Sequence, residues 1–155
     1  MEIRFAKKEE LDEVNVIRSQ VGNLHAKGRP DIFQAEFNGE IRDIVFEYFN
    51  DETRKIIVAV ENDEVCGMAT IHEIHKPESP YQLARDFLEV EEFGVKDTFR
   101  RQGIATKLME FIKEYAREKG FKKLELNMWE FNQGALDFYE AVGFKTYRRY
   151  MEMKL

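Results

Sequence analysis

The sequence predicts an α/β fold with the element order β-α-α-β-β-β-α-β-α-β. Three observations carry this expectation. Residues 55–60 and 65–74 are rich in β-branched side chains and are separated by the short polar run Glu61-Asn62-Asp63-Glu64, which reads as a hairpin. Residues 102–119 place Ile104, Leu108, Phe111, Ile112 and Tyr115 on one helical stripe. From residue 87 onward the chain alternates strand, helix, strand, helix, strand, the pattern of a layered α/β unit. At 155 residues, 43% apolar and 35% charged, the chain reads as one domain with a real core.

The elements follow in order. Residues 2–6 alternate as a short strand. Residues 8–25 set Leu11, Val14, Ile17, Val21 and Leu24 at helical spacing, and Gly28-Arg29-Pro30 ends that helix. A second helix is expected over 34–49, weakened by Gly39. After the hairpin, Pro77 and Pro80 mark a loop. Residues 87–95 form a strand in which Gly94 suggests a bulge or a close backbone approach. Gly120 caps the long helix, residues 121–128 make the next strand, a short helix runs from about Asn132 to Val142, and residues 144–155 make a final strand.

Composition excludes several classes. A net charge of −6 argues against general nucleic-acid binding, which needs a basic surface. The single cysteine, Cys66, allows no internal disulfide and no thiolate cluster. His25, His72 and His75 do not have metal-ligand spacing, so no metal is expected. No apolar run approaches a membrane span and the N-terminus lacks a signal-peptide core. A cytoplasmic protein is the expectation.

The stretch from Gly94 to Ala105 leaves a strand and enters the best helix through Arg100, Arg101, Gln102 and Gly103. Backbone N–H groups at such a turn converge at the positive end of the helix, which suits phosphate. It is neither a Walker loop nor a dinucleotide fingerprint. A tight helix start with a solvated arginine pair is the plain alternative.

Arg100-x-x-Gly103-x-Ala105, followed by Asn132-x-x-Ala135-x-x-Phe138-Tyr139-x-x-x-Gly143-Phe144, resembles the GNAT superfamily of acetyl-CoA-dependent N-acetyltransferases, in a small bacterial-type form. The resemblance covers nearly the whole chain, 1–155. It implies a central mixed sheet of six to seven strands flanked by about four helices. It also implies a strand ending at Val95 that splays from the next one, with acetyl-CoA as co-substrate lying in the opening. Phe93, Gly94, Val95, Arg100, Arg101, Gln102, Gly103, Ile104, Ala105, Asn132 and Tyr139 are the implied cofactor-binding residues, with the Val95 N–H on the thioester carbonyl. Ala105 stands where relatives often have glycine.

Tyr139 matches the family's general acid; read without the resemblance it is a core tyrosine on a helix face. The base is sought among Glu91, Glu89 and Glu92, in that order. Glu89 and Glu91 share a strand face, and Glu92 is opposite unless a bulge changes the phase. His25, Phe33, Glu92 and Trp129 are the expected substrate-binding residues.

The expected reaction is direct acetyl transfer to a primary amine, a small cationic molecule by the acidic charge and the glutamate run. A protein α-amine or lysine acceptor is the second reading, and a non-catalytic acyl-CoA-binding domain the third. A homodimer is a family-level expectation.

Overall fold

The computed structural model describes residues 1–155, and its sheet runs in simple sequence order. Strands β1 (Glu2–Phe5), β2 (Arg54–Glu61), β3 (Glu64–Lys76) and β4 (Arg85–Val95) pair antiparallel with their neighbours. β5 (Leu124–Glu125) pairs parallel to β4. The parallel pair follows from the crossover helix α3 (Ile104–Glu118), since a hairpin cannot join parallel strands. Helices α1 (Leu11–Gly28) and α2 (Gly39–Asn50) cover the opposite face, and α4 (Gln133–Ala141) is the last helix of the chain.

Two apolar layers result. On the α3 face Ile57, Ile71, Leu88 and Val90 bury against Ile104, Leu108 and Ile112. On the other, Leu11, Val14, Ile17 and Val45 bury against Ile56, Val58 and Met68. The strands alternate between the layers as the period of two requires. Truncating a fully buried residue such as Leu108 to alanine costs about 2–5 kcal/mol. The β2–β3 hairpin turns on Asn62 (φ 50°) and Asp63 (φ 62°), the paired left-handed residues that fit a two-residue turn to sheet twist.

Several expectations need correction. The sheet has five strands rather than six to seven. Residues 144–155 form no strand: they pair with no strand of the sheet, and a strand needs a partner in register. That segment is tied by side chains instead, through Tyr147 to Glu125 and Arg29 to Glu152. The strand expected over 121–128 contracts to Leu124–Glu125 because β4 diverges beyond that point. α2 begins at Gly39 rather than at residue 34. Asn38 caps it, accepting the Ile41 N–H at 2.9 Å, so the glycine lies at the helix start, where it costs little.

Candidate active site

The site grows from an irregularity in β4. Thr70 pairs with Glu92 and Ile71 with Val90, which leaves Glu91 as the extra residue of a β-bulge. The bulge changes the phase of the strand. Glu89, Glu91 and Glu92 therefore all face the α1/α2 side, the bulge supplying the change of phase under which Glu92 joins the other two. Glu92 takes the Arg18 Nε on both oxygens at 3.0 Å and the Thr70 hydroxyl at 3.3 Å. Glu91 takes a two-pronged bond from Arg54 at 2.9 and 3.0 Å and contacts His72 Nδ1 at 2.9 Å. Gly94 is not the bulge. It is the place where α1 comes closest: a Cβ there would meet Ile17 at 2.8 Å and Val21 at 3.0 Å.

The same divergence opens a cleft. β4 and β5 pair only at Leu88–Leu124 and Glu89–Glu125. Past that point Val90 to Val95 line one wall of a cavity of about 900 Å³, and Leu126, Asn127, Met128 and Trp129 line the other. Lys96 donates its N–H to the Cys66 carbonyl at 2.8 Å, on the β3 side. Strand alternation then turns the Val95 N–H away from β3 and toward the open edge. It is a backbone donor in the cleft.

At one end of the cavity is the turn before α3. Arg101 (φ 64°) and Gly103 (φ 75°) are both left-handed, and Gly103 caps α3 without a side-chain hydrogen bond. No backbone acceptor within the protein meets the N–H groups of residues 100–106. That concentrates unsatisfied donors at the positive end of a 15-residue helix. Glycine at 103 is explained by its backbone conformation, since a Cβ there would meet nothing within 4 Å. Arg100 and Ala105 line the cavity, whereas the Ile104 side chain is core, leaving only its backbone to the site. Arg101, Gln102 and Gly103 are exposed and do not line it.

Tyr139, on α4, packs edge-on against Phe93, Phe138 and Phe144 and also lines the cavity. Burial pushes its phenol up to about 12, so the hydroxyl stays protonated throughout the neutral range. Asn132 caps α4, accepting the Ala135 N–H at 3.1 Å, and faces the same space.

The other end is aromatic. His25 stacks on Phe33 with ring centres 5.0 Å apart, and Trp129 meets Phe33 edge-on at 5.0 Å. Burial lowers the His25 imidazole from its ordinary value, keeping it neutral at pH 7. Phe37 belongs to this region and carries the Arg18 guanidinium 5.6 Å from its ring centre.

Glu89 is the one catalytic candidate left outside. It does not line the cavity, and its carboxyl is raised first by burial and then by the charge of Glu91. Sequence reasoning missed Arg18, Arg54 and Phe37. Arg18 had a signal, a charge on the apolar side of an amphipathic helix one residue after Ile17. Arg54 and Phe37 had none without the register and the loop path.

The chain belongs to the GNAT acetyltransferase family, whose model matches residues 19–144. Among its relatives is YycN of Bacillus subtilis, an uncharacterized N-acetyltransferase, 32% identical over 59% of this chain and 55% of that one. Over three curated relatives, the match spans 27%, 55% and 30% of their length. The crystal structure of a tetramutant of the BH1408 protein from Bacillus halodurans superposes with a TM-score of 0.94 at 27% identity, covering 100% of this chain and 100% of that one. The aminoglycoside N-acetyltransferase AAC(6')-Iy in complex with CoA has the same fold, with a TM-score of 0.77 at 17% identity over 99% and 93% of the two chains.

Proposed function

We propose that this protein transfers an acetyl group from acetyl-CoA to the primary amine of a small cationic molecule, within one domain over residues 1–155. The observation that carries the reading is the cleft itself: a free Val95 N–H and Tyr139 share it, and a turn of unpaired amides stands at its end, where Arg100 and Ala105 line it. The amides of residues 100–106 would hold the pyrophosphate, a fit supported by their lack of any backbone acceptor. AAC(6')-Iy, of the same fold, was crystallised with CoA, which supports the choice of donor.

The chemistry asks three things of the chain. The Val95 N–H donates to the thioester carbonyl, where negative charge develops. Glu91, which lines the cavity, takes the proton that the ammonium must lose before attack, directly or through water. Arg54 and His72 fix its position. Tyr139 donates a hydrogen bond to the departing sulfur. With its phenol near 12 and a thiol near about 8.5, it shares its proton with the thiolate rather than surrendering it.

Thiol release from acetyl-CoA across a panel of amines tests the reading. Turnover that falls with Tyr139→Phe supports it. Tight CoA binding without turnover of any small amine would move the assignment to a protein acceptor or an acyl-CoA-binding role. A cytoplasmic homodimer completes the proposal. The exposed Tyr150, Met151, Met153 and Leu155 support self-association, and sedimentation of the full chain against a chain ending at residue 143 tests it.

A further inference from the structure

The acidic run on β4 reads from sequence as a cation site, but two of its three carboxylates already hold an arginine, Arg54 being shared with Asp51. Glu91 is held by Arg54 and His72, and Glu92 by Arg18 and Thr70. A carboxylate offers about four acceptor positions, and three contacts are in use on each. One acceptor position is left on each, and both residues line the cavity. Glu89 lies outside the cavity, and Glu36 is exposed at its mouth.

The same cavity has an aromatic wall. Phe33, Trp129 and His25 line it and pack on one another, with Phe37 and Ile41 also in the lining. The wall is supported from behind. Arg29 lies 5.9 Å from the Trp129 ring centre and is pinned by Asp31 and Glu152. Phe131 packs so closely against α1 that a Cβ on Gly28 would come within 2.4 Å of it. An aromatic wall in the same cavity as two largely occupied carboxylates selects by apolar contact.

From this we infer that the acceptor is a monoamine with a flat apolar body, of the arylalkylamine type, rather than a polyamine. The inference rests on the acetyl-transfer reading for its biological sense, but the binding it describes does not need turnover. The ammonium sits between Glu91 and Glu92, and the ring lies on Phe33 and Trp129.

Trp129 is the only tryptophan in the chain, so its fluorescence reports the proposed wall directly. The experiment titrates the full-length protein with 2-phenylethylamine, propylamine and spermidine, with and without CoA, following Trp129 emission. The expected result is that 2-phenylethylamine binds about 10- to 100-fold more tightly than propylamine, the worth of burying one phenyl ring. Phe33→Ala should erase at least about tenfold of that preference while leaving propylamine nearly unchanged. Spermidine should bind no more tightly than propylamine. Tighter spermidine binding, abolished in Glu36→Gln, would overturn the inference in favour of a second cation site at the mouth. So would equal binding of the two monoamines, or no detectable 2-phenylethylamine binding. Selective aromatic binding with no acetyl transfer would sink the enzymatic reading and leave this one standing.

Discussion

The two ends of the cavity are built from different materials. The end at the start of α3 is made of backbone: a left-handed Arg101, a left-handed Gly103 and a row of amides with no backbone acceptor. The end under α1 and α2 is made of side chains: two arginine-held carboxylates and an aromatic wall. Backbone sites recognise what all acyl-CoA molecules share, and their demands on sequence are loose. Side-chain sites recognise what differs between acceptors, and each residue there depends on its neighbours. Tyr139 lies where the two meet, and the sharpest test of the division begins with it.

Tyr139→Phe removes the hydroxyl without disturbing the ring contacts to Phe93 and Phe144. We expect kcat to fall by about 10²–10⁴ with little change in CoA affinity, measured by thiol release and by direct CoA titration. Because the phenol is raised to about 12, the wild-type rate should show no basic limb from this group below about pH 10. The linked stability runs the same way. It is fully present below the unfolded value of 10 and lost as pH rises toward 12. A phenylalanine variant with unchanged kcat would detach Tyr139 from the chemistry.

The proposed acceptor end is also structural, and Arg18 shows it. Its side chain is 5% exposed and joins Glu92 of β4, Asn15 of α1 and the Ile41 carbonyl of α2. Arg18→Met leaves the partly exposed Glu92 unpaired and should cost about 2–4 kcal/mol in denaturant unfolding. Adding Glu92→Met should recover most of that loss. No recovery in the double variant would mean that Arg18 acts through packing on Phe37 rather than through charge.

The backbone end predicts a smaller effect on stability. Gly103→Ala forces a side chain into φ 75°, at a cost of about 1–2 kcal/mol. It should weaken CoA binding by isothermal titration more than it weakens acceptor binding. Equal weakening of both would break the division between the two ends.

That division also accounts for what the sequence made legible. Gly103 and Asn132 stand at two helix starts whose local geometry is self-contained, so their places were readable, whereas Tyr139, late in α4, was legible only through the family resemblance. The carboxylates were not, because one extra residue at Glu91 reverses the strand parity and depends on the pairing with β3. The missing last strand fails for a similar reason. Residues 144–155 have the composition of a strand, but strand formation needs a partner in register, and none is present. Ion pairs such as Arg54–Glu91 join residues far apart in the chain and leave no local trace.

Glu89 gives the finest test, because it belongs to the acidic run yet stands apart from both ends. Its carboxyl is raised by burial and by Glu91, so the folded state holds its proton more tightly than the unfolded chain does. Stability from this group is therefore greatest below the unfolded carboxylate range and falls as pH rises through the folded value. Glu89→Gln has no charge to desolvate. Its melting temperature should exceed that of the wild type at pH 7, and the gap should close below about pH 4. A variant less stable than wild type at pH 7 would mean that attraction to His72 and Lys76 outweighs burial, reversing that balance. A loss of kcat of about a hundredfold in the same variant would move the proposed base from Glu91 to Glu89, the second candidate, and the acceptor end would then extend beyond the cavity wall.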